Sequence, residues 1–165
     1  MNVAVRHGVA MAAVLCVMIG SGCRTARHGA ATEGEETIPT DRPMGSRFET
    51  GQRVNATFET VLFDYDSFKI KPTEVAKVDA VAAYMSQNGD VVCILEGHCD
   101  ERGSNEYNMS LGEQRGQSVR QQLIGLGVAN DRLQTRSYGE EQPVDSGHDE
   151  SAWRQNRRVE FAVFK

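Results

Sequence analysis

The side chains of this chain that could do chemistry gather in one stretch, EGHCDERGSNEYNMSLGEQR, from Glu96 to Arg115. It holds a histidine, a thiol, several carboxylates and two guanidinium groups. Leu111, Arg115, Val119 and Leu123 form one i, i+4 row, an apolar helical stripe with a permanent cation in its middle. An inward-facing guanidinium needs a carboxylate or a dense set of acceptors, because an unpaired buried charge costs several kcal/mol. Asp100 lies in the segment that leads into this helix, within reach of Arg115. Two readings follow. Either the two form a salt bridge that pins the loop to the helix, or they stand side by side as a receptor for a group bearing both an ammonium and a carboxylate. A zwitterionic amino-acid end is such a group.

Catalytic and metal templates do not fit the same stretch. His98 and Cys99 are adjacent, and on extended chain neighbours point to opposite sides, so they cannot share a proton. A metal set of His98, Cys99 and Asp100 meets that objection too, and no second cluster at ligand spacing exists. Cys93 and Cys99 would be about 20 Å apart on extended chain, against a limit of ~7 Å for a disulfide, so a bridge needs a reversal at Gly97. Cys93 reads as a small core residue and Cys99 as incidental. There is no G-x-S-x-G, no phosphate-cradling glycine loop and no H-E-x-x-H. The carboxylates of Asp64 and Asp66 fit a glycosidase in principle, but acidic residues beside a strand end are ordinary turn residues. The reading is a protein that is not an enzyme and uses no cofactor or metal. From Ala56 onward, 12 basic and 18 acidic side chains leave a net charge of −6, which excludes nucleic acid as the natural partner.

These residues need a scaffold, and the chain of 165 residues, 39% hydrophobic and 25% charged, supplies one ordinary core in its last two thirds. Residues 1–22 read as a secretion signal: Arg6 and His7, an apolar run from Val9 to Ile19 too short to span a bilayer, then small residues before Cys23. Arg24 to Asn55 balances five basic against five acidic residues and shows no helix or strand period, so it reads as a solvated tether. As flexible coil its 32 residues span roughly 30 Å, and fully extended about 110 Å. The globular part occupies residues 56–165. Thr57 to Phe63 is a short β-rich run followed by the turn-like FDYDS. A helix runs from Pro72, with Val75, Val78, Val81, Ala82 and Met85 at helical spacing, to Asn88-Gly89. Val91 to Leu95 is a near-continuous apolar run suited to a central strand. The second helix lies between about Asn105 and Leu126, started by a Ser110/Glu113 capping box or earlier by Ser104 or Asn105, and ended by Gly125 and Gly127. Leu133 to Tyr138 and Arg157 to Phe164 are further strands, the last with Val159, Phe161 and Val163 alternating with Arg158, Glu160 and Ala162. The order β-α-β-α-β-β predicts an α+β fold, a two-layer sandwich with a mixed sheet and helices on one face.

With EGHCDERGSNEYNMSLGEQR stand LFDYDSFKI before it and SYGEEQP, GHDES and QNRRVEF after it. In that order, over about Thr57 to Lys165, these motifs resemble the peptidoglycan-associated lipoproteins of Gram-negative outer membranes, within the wider family of OmpA-like peptidoglycan-binding domains. The small residues closing on Cys23 resemble a lipoprotein processing site, with Gly20 where the family usually has Leu. The resemblance implies acylation of Cys23. Arg24, in place of the Asp that commonly holds lipoproteins at the inner membrane, implies outer-membrane sorting with the domain facing the periplasm. It further implies binding, without cleavage, of the diaminopimelate end of the peptidoglycan stem peptide, with Asp100 on the ligand's ammonium and Arg115 on its carboxylate. Tyr65, Asp66, Arg102, Asn108 and Leu111 match other groove positions; Asn108 reads equally as a helix-start residue and Leu111 as core. Arg157 and Arg158 in QNRRVEF read either as supporting the groove or as solvating an edge strand, the latter being preferred. The resemblance also implies a Tol–Pal system serving envelope integrity and cell division, with a soluble TolB-like partner docking on an overlapping surface. Cys99 replaces the usual Ala or Thr, Gly116 the usual Ala, and Trp153 another aromatic.

Overall fold

A computed structural model describes residues 48 and 50–165. The signal segment 1–22, Cys23 and most of the tether lie outside the described residues. The described elements are β1 (Val61–Leu62), α1 (Val75–Gln87), β2 (Val92–His98), α2 (Asn105–Gly125), β3 (Leu133–Gly139), α3 (Glu150–Asn156) and β4 (Arg158–Phe164), with a 3-10 turn at Asn130–Arg132. The sheet runs in the order β1-β4-β2-β3, with β2 parallel to β3 and the other pairings antiparallel, so it is mixed as the sequence predicts. The parallel pair is joined through α2, because a parallel connection needs a crossover.

The strand pleat sorts the core. Cys93 and Leu95 of β2 and Val159, Phe161 and Val163 of β4 pack with Val78, Val81 and Met85 of α1 and with Val119 and Leu123 of α2. Both long helices therefore cover one face. Helix α1 begins at Val75, three residues after Pro72, and its entry is fixed by Glu74, whose carboxylate accepts from the Leu62 backbone N–H at 2.9 Å and from Lys77 Nζ at 2.8 Å. That bond satisfies a donor on the sheet edge, which would otherwise be unpaired. Asn88 ends α1 by donating from its backbone N–H and its side chain to the Tyr84 carbonyl.

Helix α2 starts at the earlier of the two candidate positions: Ser104 Oγ accepts from Tyr107 N at 3.2 Å. At its other end Gly127 adopts φ +92°, Gly127 N–H donates to Ile124 O and Val128 N–H to Leu123 O, a Schellman termination. The helix sits very close to the sheet. A Cβ on Gly97 would lie 2.0 Å from the Gly112 carbonyl oxygen, so only glycine lets β2 and α2 approach there.

Three expectations are corrected. The sequence order lacked α3; its N-terminus is capped by Asp149 Oδ1, which accepts from Ser151 N and Ala152 N at 2.9 and 3.0 Å. The seven residues of α3 bury only Ala152 and Asn156, so no apolar period announces it. The Thr57–Phe63 run pairs as strand only at Val61–Leu62, because Phe58 instead packs edge-on against Tyr84 and Phe161 at 5.3 and 6.1 Å. Backbone pairing also begins before Ala56: Gln52 and Lys165 exchange hydrogen bonds at 3.0 Å, and Val54 N donates to Val163 O at 2.8 Å.

Candidate functional site

Strand β2 ends in a register shift between Gly97 and His98, after which His98 pairs with Gly139 and Cys99 N donates to Gly139 O at 2.7 Å. The Cys99–Ser104 segment, the first turns of α2 and the turn after β1 converge here on a cavity of about 190 Å³. All the groove residues named from sequence line it: Tyr65 and Asp66 from the turn, Asp100 and Arg102 from the loop, and Asn108, Leu111 and Arg115 from α2. Their spacing spans 51 residues of chain, and the sheet order brings them together.

The Asp100–Arg115 salt bridge does not form; each has other partners. Arg115 Nε donates to Ser67 O at 2.9 Å, Nη1 to His98 O at 2.8 Å and Cys99 Sγ at 3.3 Å, and Nη2 to Asp64 O at 3.2 Å. Its guanidinium also lies 5.4 Å from the Phe63 ring centroid. Asp64 O and Ser67 O belong to the turn after β1, outside the sheet ladder, and need a donor from elsewhere, while His98 O closes β2. These segments close over the side chain, so it is 0% exposed. Burial pulls its pKa below that of an ordinary guanidinium, with the Cys99 and Asp100 charges opposing the shift. It remains a cation, because guanidinium does not deprotonate in proteins.

Asp100 is 2% exposed and is held by two other arginines. Oδ1 accepts from the Arg102 backbone N–H and from Arg102 Nε, each at 3.1 Å; Oδ2 accepts from Arg102 Nη2 at 2.7 Å and Arg157 Nη1 at 3.1 Å. Burial works to raise its pKa, but the hydrogen bonds from Arg102 and Arg157 prevail and hold it below the usual carboxylate range. Arg157 is therefore no solvated edge residue. It is buried, donates to Phe63 O at 3.1 Å and to Glu150 at 2.6 Å, and ties β1, α3 and Asp100 together. Arg158 is buried too, on Glu160 at 2.6 Å and the Gln142 carbonyl at 3.2 Å.

Arg102 lies between two rings, with its guanidinium carbon 4.0 Å from the Tyr65 centroid and 4.1 Å from that of Trp153. Trp153 entered the sequence reading only as a substituted aromatic; no spacing could place α3 against the loop after β2. Tyr107 was missed as well: it lines the cavity, and its hydroxyl donates to Asp66, which adopts φ 51°. Asn108 is one of the cavity-lining residues. It sits in the opening turns of α2, is 1% exposed, and donates from Nδ2 to the Asp100 carbonyl at 3.2 Å while facing the cavity. Leu111 is buried and forms the apolar wall.

Cys99 is not incidental. Its thiol donates to Asn108 O at 3.3 Å, beside Arg115, and burial pushes its pKa up to about 11. That makes it an inert wall and not a nucleophile. His98 points to the other side, stacked on Tyr138 at 5.3 Å, as adjacent residues on extended chain should. Both Cys93 and Cys99 are free and buried, and Cys93 belongs to the core. Asp64 pairs with Lys71 at 3.3 Å on the surface, and Asp66 accepts from the Tyr107 hydroxyl. Among the described residues, no three His, Cys, Asp or Glu side chains are placed to hold a metal ion.

The site is thus a small cavity with a charged floor and aromatic rims, on a four-stranded mixed sheet. The OmpA family model matches residues 62–157, which hold every groove residue. A peptidoglycan-associated lipoprotein of Pseudomonas putida is 39% identical over 166 residues, covering 94% of this chain and 96% of that protein. Its counterpart in Pseudomonas aeruginosa is 48% identical over 102 residues, covering 62% of this chain and 60% of that one. The crystal structure of the peptidoglycan-associated lipoprotein from Burkholderia pseudomallei superposes with a TM-score of 0.62 at 38% identity, over 63% of this chain and 88% of that one. The C-terminal domain of Helicobacter pylori MotB, at 21% identity and TM-score 0.61 over 65% of this chain and 84% of its own, shares the fold. By the match of its domain and by its likeness along nearly the whole length of a curated relative, the chain belongs to the OmpA family.

Proposed function

We propose that this chain is a non-catalytic lipoprotein that binds the diaminopimelate-bearing stem peptide of peptidoglycan and links the outer membrane to the cell wall. The relatives are peptidoglycan-associated lipoproteins, which supplies the wall and the lipid. The observation that carries the stem-peptide reading is the cavity itself, where a carboxylate and a buried guanidinium lie under walls that are part aromatic and part apolar. Such a floor suits a ligand end that carries an ammonium and a carboxylate together. In this reading Asp100 takes the ammonium, and the carboxylate reaches the one Nη2 N–H that Arg115 keeps beyond its bond to Asp64 O when the covering turn at Asp64–Ser67 moves aside. Acylated Cys23 anchors the chain in the outer membrane, and the residues between Cys23 and Gln52 supply the reach toward the wall.

A second use of the same surface is docking of a TolB-like periplasmic protein in a Tol–Pal system that serves envelope integrity and division. It is favoured by Tyr65, Phe68 and Tyr107, three exposed aromatic side chains around the cavity mouth and the turn beside it.

Sedimentation with insoluble peptidoglycan sacculi tests the first reading, using the full chain in mild detergent beside Asp100→Asn and Arg115→Lys proteins whose folding is checked by circular dichroism. Lysine is chosen because truncating Arg115 to alanine would strip three backbone carbonyls of their donor. Wild type in the pellet with both folded variants in the supernatant supports the wall tether. Equal pelleting of all three would sink the stem-peptide site and leave the docking surface.

A further inference from the structure

The reading above needs Asp100 to accept from a ligand's ammonium, yet its carboxylate has no acceptor position left. An ionised carboxylate offers about four lone-pair sites. Here they receive Arg102 N, Arg102 Nε, Arg102 Nη2 and Arg157 Nη1, at 3.1, 3.1, 2.7 and 3.1 Å. A ligand cation must therefore displace a donor that is already present.

The two arginines are not equally able to leave. Arg157 has a side chain only 5% exposed and is fastened independently to Phe63 O and to Glu150. The side chain of Arg102 is 30% exposed, and its hydrogen bonds go to Asp100 alone. A second carboxylate waits beside it: Glu150 Oε2 lies 3.7 Å from Arg102 Nη2, while Glu150 Oε1 holds Arg157. The flanking rings of Tyr65 and Trp153 give the guanidinium a surface to slide along without losing its stacking.

Resting on the stem-peptide reading, we infer that Arg102 is the resident occupant of the ammonium position. It neutralises Asp100 while the groove is empty, and it passes to Glu150 when a ligand's ammonium takes its place. The exchange swaps one cation for another, so the buried carboxylate is never left unpaired, which would cost several kcal/mol. The arrangement also selects. A ligand without a cation has nothing to offer Asp100 and meets a closed floor. A ligand with an ammonium but no neighbouring carboxylate can displace Arg102 but finds no anion of its own for Arg115.

The test is calorimetric titration of the full chain in detergent with a synthetic L-Ala-γ-D-Glu-meso-diaminopimelate tripeptide, and with the matched peptide ending in lysine. An occupant that must be displaced lowers apparent affinity by the fraction of time the site is open, so Arg102→Gln should tighten binding of the diaminopimelate peptide by roughly three- to tenfold. Glu150→Gln, which removes the receiving carboxylate, should weaken it by a similar factor, and the lysine peptide should bind more weakly to every protein. Alongside, the Arg102 Nε–H resonance of the wild type should move on saturation with tripeptide, and this arm decides the matter if Arg102→Gln does not fold. Unchanged or weaker binding by folded Arg102→Gln, or an Nε–H signal that stays put at saturation, overturns the exchange. The stem-peptide reading survives that result if wild type binds and Asp100→Asn does not. If wild type fails to bind the tripeptide, the reading and the exchange fall together.

Discussion

Two buried polar side chains, two residues apart at the end of β2, are treated in opposite ways. Asp100 and His98 are each 2% exposed. On the groove side Asp100 collects four donors and keeps its charge, its pKa held low by Arg102 and Arg157 against the pull of burial. On the opposite face of the sheet neither ring nitrogen of His98 has a hydrogen-bond partner, and the ring lies against Tyr138. Burial there, helped by the nearby Arg158 and opposed by Glu160, pushes its pKa down to about 4, so it is a neutral ring at ordinary pH. The difference shows that burial alone does not decide whether a side chain is charged. What decides it is whether the surrounding chain supplies partners, and the chain supplies them on the side that faces the cavity.

The comparison can be broken hardest from the charged side. Arg157→Ala removes one of the two arginines on Asp100, and with it the donor to Phe63 O and the partner of Glu150. Breaking a buried pair by deleting one member costs about 3–5 kcal/mol, and urea denaturation at pH 7 should show a loss of that size. A loss below about 1 kcal/mol would mean that Arg102 alone suffices for Asp100.

Acid sharpens the contrast next, because the two groups act in separate windows. The folded pKa of His98 lies near 4, below its unfolded value of about 6.5. Between those values the unfolded chain binds the proton and the folded chain does not, so stability falls as pH falls from 6.5 to 4 and is level above 6.5 in respect of this group. The full shift corresponds to about 3 kcal/mol. Asp100 runs from a depressed folded value, so its contribution is intact above the ordinary carboxylate pKa of 3.8 and is lost only at more acid pH. In His98→Phe the slope between pH 6.5 and 4 should flatten, with stability at pH 7 changed by less than about 1.5 kcal/mol, because the histidine surrenders no hydrogen bond. Chemical denaturation at a series of pH values reads both effects. A slope that persists in His98→Phe assigns the acid sensitivity elsewhere.

The smallest expected effect lies at the rim. Trp153→Ala removes one of the two rings that flank Arg102 and should cost about 0.5–1 kcal/mol of stability for the lost cation–π contact. Thermal melting of the folded variant checks it. A loss of several kcal/mol would show that Trp153 holds α3 in place and does more than stack on Arg102.

Two residues of the groove were legible because they break local rules. A charge in an apolar stripe at Arg115, and a carboxylate entering the same helix at Asp100, both marked the place. Their contacts were not legible. Short spacing put Asp100 beside Arg115, but Asp100 took the arginine two residues away and another 57 residues away. Arg157 read as surface because it opens a strand in a run of polar residues, and only the position of β4 between β1 and β2 turns it inward. The missed helix α3 had a visible cap in Asp149 but too few apolar residues to show a period.

The sequence by itself determined the secondary elements that carry an apolar period, the mixed two-layer architecture and, in the groove, Asp100 and Arg115, while the resemblance to a family supplied Tyr65, Asp66, Arg102, Asn108 and Leu111. Periodicity and local hydrogen-bonding chemistry act over a few residues and survive in a string of letters. Only the tertiary structure decided who pairs with whom: Arg115 with three backbone carbonyls and the Cys99 sulfur, Asp100 with Arg102 and Arg157, and His98 with no polar partner. Those pairings depend on which loops meet at the end of β2, and the meeting is set by sheet order and by the close seating of α2 on Gly97. Charged groups interact over distances that bear no relation to their separation along the chain.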